Sequence, residues 1–81
     1  MWYVYIIKSL EKNWYYTGST NRLENRLSEH NDGKVFSTKR YRPLKLVFTK
    51  EFESEHEARA YEQRLKKQRR EKERIIREIE K

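Results

Sequence analysis

Six of the chain's eleven aromatic residues lie in two short runs, Trp2-Tyr3-Val4-Tyr5-Ile6-Ile7 and Trp14-Tyr15-Tyr16-Thr17, with six residues between them. Aromatic and β-branched side chains suit a pleated, half-buried surface, so both runs read as strands. The connection Ser9-Leu10-Glu11-Lys12-Asn13 is polar and of hairpin length, which makes the two strands antiparallel neighbours. The second strand is expected to stop at Gly18. Everything else in the chain has to pack against this hairpin.

Asn21 and Glu24 have the spacing of an N-cap and its capping acid, and Leu23 and Leu27 fall on one helical face, so residues 21–31 read as a short helix. Asn31-Asp32-Gly33 ends it with residues that tolerate a left-handed conformation. Residues 34–42 are polar and basic without a period and read as a loop. Pro43 then opens a third strand in which Leu44, Leu46 and Phe48 alternate with Lys45, Val47 and Thr49; Val47 is the one apolar exception to the alternation. Ser54 and Glu57 form a second capping box, and Ala58, Tyr61 and Leu65 mark the inward face of the helix that follows. Continuing that stripe puts Gln68 and Lys72 where apolar residues belong, before Ile75 and Ile79 resume, which predicts a bend or a separate terminal helix. The fold class expected is α+β: a three-stranded, largely antiparallel sheet flanked by helices, in the order β-β-α-β-α-α. It forms a single domain over residues 1–81, with a core over 1–69 and a C-terminal helical extension over 70–81.

With 81 residues, of which 35% are apolar and 41% charged, the chain has room for one modest core inside a charged shell. A domain of this size buries only about two thirds of the surface its unfolded chain exposes. There is no cysteine, which excludes disulfides and thiolate metal sites. No apolar stretch approaches the ~20 residues of a membrane span, and the N-terminus opens directly into a strand without a signal segment, so a cytoplasmic protein is expected. The formal charge of +7 favours a polyanionic partner, DNA or another nucleic acid, and not a membrane. The basic residues concentrate in two tracts, Lys39, Arg40 and Arg42 of the loop, and Arg64, Lys66, Lys67, Arg69 and Arg70 at the end of the second long helical stretch. Such tracts either contact phosphates or form a solvated face.

Several residues exceed what a generic α+β domain needs. Tyr3 and Tyr5 share one face of the first strand, and Trp14 and Tyr16 one face of the second; these rings either relay protons beside a phosphate or pack with their tips in water. Arg26 and His30 border the face of the first helix that meets the sheet. Arg26 there either neutralises a scissile phosphate or snorkels at the surface; His30 is either a catalytic auxiliary or a cation favoured by the helix C-terminus. Glu62, four residues after Ala58 and three before Leu65, borders the apolar stripe, and a carboxylate there needs either a basic partner or a divalent metal.

Taken in order, these segments resemble the GIY-YIG nuclease superfamily, in its small stand-alone bacterial branch (UPF0213-like). Tyr3-Val4-Tyr5 stands at the first motif and Tyr16-Thr17-Gly18 at the second. Gly18-Ser19-Thr20 through Arg26-Leu27 to His30-Asn31, then Thr38-Lys39, Pro43-Leu44, Leu46-Val47-Phe48, and Glu57-Ala58 with Glu62 and Leu65-Lys66 follow at the family's distances. The resemblance implies a metal-dependent DNA endonuclease, structure-selective and linked to repair or recombination. It implies Tyr5 as base or relay to the attacking water, Tyr16 as support for water or phosphate, and Arg26 as stabiliser of the pentacovalent phosphate. Glu62 would hold one Mg2+ or Mn2+ ion, with His30 and Lys39 as catalytic auxiliaries, all converging on one sheet face. Tyr3 replaces the first motif's glycine, Thr17 the second motif's isoleucine, and the C-terminal segment lacks the asparagine of many catalytic relatives. Two other readings stand beside it: a non-catalytic nucleic-acid-binding module of the same fold, and an interaction scaffold that dimerises or meets a protein partner through Ile75, Ile76 and Ile79.

Overall fold

A computed structural model describes residues 1–80; Lys81, the last residue of the expected extension, lies outside them. The elements are β1 (Trp2–Ser9), β2 (Tyr15–Thr20), α1 (Leu23–Asn31), a 3-10 turn (Lys39–Tyr41), β3 (Leu44–Phe52), α2 (Glu55–Lys67) and α3 (Arg69–Ile79). The fold is the expected α+β arrangement, an antiparallel sheet of order β2-β1-β3 with β1 in the centre.

The central position of β1 explains its composition. Val4, Tyr5, Ile6 and Ile7 are all buried, because successive side chains enter cores on opposite faces of the sheet. On one face Val4 and Ile6 pack with Ala58 and Leu65 of α2, joined by Phe48, Phe52, Tyr61 and Ile75. On the other, Tyr5, Ile7 and Leu44 pack with Leu23 and Leu27 of α1 and with Trp14, Tyr16, Tyr41 and Leu46.

β3 serves both cores. Ile7 pairs with Leu46, but its neighbour Ile6 pairs with Phe48, so Val47 is the extra residue of a β-bulge. The bulge places Val47 and Phe48 on the same face, whereas Leu44 and Leu46 point to the other. The apolar exception in the alternation is therefore the residue at which the strand changes sides.

Two local expectations are corrected. β2 does not stop at Gly18 but runs on to Thr20, pairing Gly18 with Tyr5, Ser19 with Val4 and Thr20 with Tyr3. Asn21 does not cap α1. The helix starts at Leu23 without a side-chain cap, and the Arg22 N–H just ahead of it donates to the Thr20 hydroxyl at 3.0 Å. The second capping box forms as read: Ser54 precedes α2 and its Oγ accepts from the Glu57 N–H at 3.2 Å. Where the apolar stripe breaks, Gln68 leaves helical geometry (φ −103°, ψ 89°) and a separate α3 begins. Arg64 of α2 and Glu71 of α3 close this elbow with a 2.9 Å ion pair.

Candidate active site

Tyr5 is 1% exposed although it carries a hydroxyl, and burial of such a group requires partners. Its Oη lies 2.9 Å from His30 Nε2, and His30 Nδ1 lies 2.8 Å from Thr38 Oγ1. Thr38 Oγ1 in turn reaches the Val35 carbonyl at 3.4 Å. A carbonyl only accepts, so the Thr38 hydroxyl donates to it and accepts from His30 Nδ1–H. That leaves Nε2 to accept from the Tyr5 hydroxyl. The direction of the network thus assigns a neutral imidazole.

The electrostatics agree with that assignment. Burial, helped by the positive charge of Arg26, lowers the His30 pKa to about 4. His30 is therefore not the cation favoured by the helix C-terminus that was one reading of its position; it is fully buried and uncharged. Burial pushes the Tyr5 pKa up to about 12, against the pull of the Arg26 guanidinium beside the phenol and with Tyr16 and Glu62 adding to the rise. The resting pair is thus a protonated phenol and a neutral ring.

Gly18 makes room for this phenol. It faces Tyr5 across the β1–β2 ladder, and a Cβ built on Gly18 would lie 2.5 Å from Tyr5 Oη and 2.6 Å from Cζ. Tyr16, two residues earlier, sits edge-on to His30 at 5.3 Å between ring centroids and 6.5 Å from Tyr5. The Arg26 guanidinium is held by Glu29 at 3.2 Å and remains about a third exposed, its side chain at 38%.

Glu62 approaches from the other face of the sheet. It belongs to α2, which packs on the Val4 side, and Ser19 is the β2 residue that pairs with Val4. The Ser19 hydroxyl donates to Glu62 Oε1, and Lys66 Nζ donates to Oε2 at 2.6 Å. The Glu62 side chain is 12% exposed. The residues singled out in the sequence therefore meet around an edge of the sheet, where β2 is bare at Gly18, and not on one face. Beside Arg26 lies an open cleft of about 300 Å³ whose lining includes Trp2, Ser19, Asn25, Arg26 and Glu29 but neither Tyr5 nor Glu62. Larger clefts, of about 460 and 410 Å³, border α3 and contain none of these groups.

As a metal site this corner offers Glu62, since the other carboxylate near the cleft, Glu29, is taken up by Arg26. Among the described residues no group of three His, Cys, Asp or Glu side chains is placed to hold an ion. A single carboxylate beside a hydroxyl fits magnesium or manganese, which keep several waters, and does not fit a closed zinc site.

Other expected residues lie elsewhere. Lys39 is exposed on the 3-10 turn with its ammonium 5.7 Å over the Phe36 ring. Arg40 is exposed beside it, and Arg42 donates to the Lys39 carbonyl at 2.9 Å. Lys67, Arg69 and Arg70 are exposed around the α2–α3 elbow, while Arg64 and Lys66 are engaged by Glu71 and Glu62. Two contributors were not singled out by sequence reasoning. Ser19 follows a glycine in a strand, and Thr38 meets His30 only through the fold.

The family model described as the GIY-YIG catalytic domain matches residues 1–75. The UPF0213 protein YazA of Bacillus subtilis is 39% identical over 80% of this chain and 66% of its own length. A UPF0213 protein of Limosilactobacillus reuteri is 35% identical over 93% of this chain and 81% of its own length. The solution structure of the UPF0213 protein BH0048 from Bacillus halodurans superposes with a TM-score of 0.57 at 35% identity, covering 94% of this chain and 83% of that one.

Proposed function

The chain belongs to the GIY-YIG catalytic-domain family, a nuclease-type family, and on that premise we propose that it is a metal-dependent endonuclease that hydrolyses phosphodiester bonds in DNA. The observation that carries the reading is the convergence of Tyr5, Arg26 and Glu62 on one sheet edge, across a glycine that only a bare backbone position can supply.

The chain's own groups divide the work. Because Tyr5 donates a hydrogen bond to His30 Nε2, the lone pairs of the phenol oxygen face the Arg26 guanidinium. His30 thus acts as a positioning residue, fixing the phenol. In the proposed reaction Tyr5 first loses its phenol proton to solvent; the phenolate then takes a proton from the attacking water as the water oxygen bonds to phosphorus and the bond to the leaving sugar oxygen breaks, and that oxygen takes up a proton from solvent. The Arg26 guanidinium, tethered by Glu29, neutralises the charge that builds on the non-bridging oxygens. Tyr16 supports the water or the phosphate from β2. Glu62 is the residue that would hold a Mg2+ or Mn2+ ion, which when bound would supply positive charge to favour a phenolate over a phenol and to stabilise the leaving oxygen. A phenol whose pKa lies near 12 requires such a charge before it works as a base at neutral pH.

DNA is the partner the charge favours. Lys39, Arg40 and Arg42 on the turn and Lys67, Arg69 and Arg70 at the elbow supply exposed cations for backbone phosphates. Selectivity for branched DNA, and a place in repair or recombination, belong to the same proposal.

One observation favours a second reading, a nucleic-acid-binding module without turnover: both oxygens of Glu62 are engaged, by Ser19 and Lys66. Incubating the purified protein with supercoiled plasmid and branched DNA, with Mg2+ or Mn2+, separates the two. Nicking that disappears in a folded Glu62→Ala variant is expected. Salt-sensitive binding without nicking in either metal would establish the second reading.

A further inference from the structure

The loop of residues 34–42, which the candidate mechanism scarcely uses, carries two aromatic rings, Tyr41 at the margin of the core and Phe36 in solvent. Tyr41 is half-buried and stacks on Trp14 with ring centroids 3.8 Å apart and planes 8° from parallel. Trp14 fills one face of Tyr41, so the Lys12 ammonium, 5.4 Å over the same ring, caps the other. Phe36 is 80% exposed, and its ring lies under the Lys39 ammonium at 5.7 Å. A phenylalanine that exposed gains little from folding, so packing does not explain it.

Both rings are thus flat apolar faces covered by a flexible cation. A cation–π contact at an exposed site is weak, whereas a nucleobase stacked on an aromatic face is held more strongly and without sequence preference. A lysine displaced by a base is not lost, because its long stem lets it move to the neighbouring phosphate. Stacking and charge neutralisation therefore improve together when a polyanion with free base faces arrives. Duplex DNA has no such faces to offer along its length, since its bases stack on one another.

We propose that Trp14 and Tyr41, with Phe36 on the same loop, form a stacking platform for single-stranded nucleic acid, and that Lys12 and Lys39 are its phosphate-contacting caps. Trp14 also leads back to the candidate active site: its ring is 6.1 Å from Tyr16, which is 6.5 Å from Tyr5. The row of rings runs from the loop to the phenol, so unpaired bases held on the platform set the position of the strand at the sheet edge. The inference rests on nucleic acid being the partner but requires no turnover.

The test uses a Trp2→Phe protein, in which Trp14 is the one tryptophan left, with chelator present so that nothing is cut. Titration with a thymidine oligonucleotide is compared with an abasic phosphodiester oligomer of equal length and charge. The oligonucleotide is expected to quench Trp14 and to bind about tenfold more tightly than the abasic chain. Phe36→Ala, at an exposed position that does not threaten folding, and Tyr41→Leu should each lower affinity several-fold for the thymidine chain and leave the abasic chain unchanged. Equal affinities for the two chains, absent quenching, or variants that behave like the parent would overturn the platform. Nicking with metal but no base-dependent binding sinks this inference alone; base-dependent binding without nicking sinks the nuclease reading alone.

Discussion

The Tyr5 phenol lies across the α-carbon of Gly18, so close that the smallest side chain at position 18 would occupy the space of its hydroxyl and Cζ. The glycine is therefore a fixed part of the phenol's pocket, although it carries no chemistry.

Gly18→Ala is expected to displace Tyr5 from His30, to cost about 1–3 kcal/mol in urea denaturation as an overpacked core does, and to lower nicking at least about tenfold, since a displaced phenol no longer supplies its proton transfer. Adding Tyr5→Phe to the same chain should not restore stability, because Cζ is as close to the new methyl as the oxygen is. An alanine variant with parental stability and activity would contradict the packing argument.

His30 makes stability depend on pH in a defined window. Its folded pKa of about 4 lies below the ordinary value of 6.5, so between those values the unfolded chain binds the proton that the folded chain refuses. Stability from this group is complete above pH 6.5 and declines as pH falls toward 4, by on the order of 3 kcal/mol. Carboxylates lose stability in the same region, so the comparison is with His30→Gln. The difference between the two urea profiles should shrink from pH 7 to pH 4, and parallel profiles would refute the buried neutral imidazole.

Ser19 and Lys66 hold the same carboxylate by different means, and their removal should have opposite effects on metal binding. Lys66→Met removes the ammonium that competes for Glu62 Oε2, so Mn2+ binding, read by electron paramagnetic resonance, should tighten several-fold. Ser19→Ala frees the Oε1 contact that orients the carboxylate and should weaken it. Binding unchanged in both variants and in Glu62→Ala would remove Glu62 from the metal site.

Thr17 stands where the family's second motif carries isoleucine. Its Oγ1 is buried with no hydrogen-bond partner among the described residues. Thr17→Val removes that hydroxyl at nearly constant shape and should stabilise the fold by about 1 kcal/mol, seen as a higher urea midpoint with unchanged slope. A lower midpoint would mean that the hydroxyl has found a partner.

Much of this architecture was legible because it is governed locally. The capping box at Ser54 and Glu57, the stripe of Ala58, Tyr61 and Leu65, and its interruption at Gln68 each depend on neighbours within a turn or two, and each appears as read. The β2–α1 junction was misread because strand pairing runs on to Thr20, which leaves Asn21 in the turn ahead of a helix that starts at Leu23. The burial of His30 and its bond to Thr38 depend on how a loop folds back over α1, and no spacing encodes that. The same holds for the site's geometry. Strand alternation separates Tyr5 from Ser19, but only the docking of α2 shows that Glu62 reaches the edge from the opposite side.

The bulge at Val47 has a consequence for that geometry. With the same residues and no bulge, strict alternation along β3 would turn Phe48 and Phe52 away from Ala58 and Tyr61, taking from α2 the bed on which it lies. The separation between the acid on α2 and the phenol on β1 is thus set by strand register, at a position remote from both. Pairing Val47 in place of Phe48 with Ile6 would put the groups of the candidate site out of alignment without altering any of them.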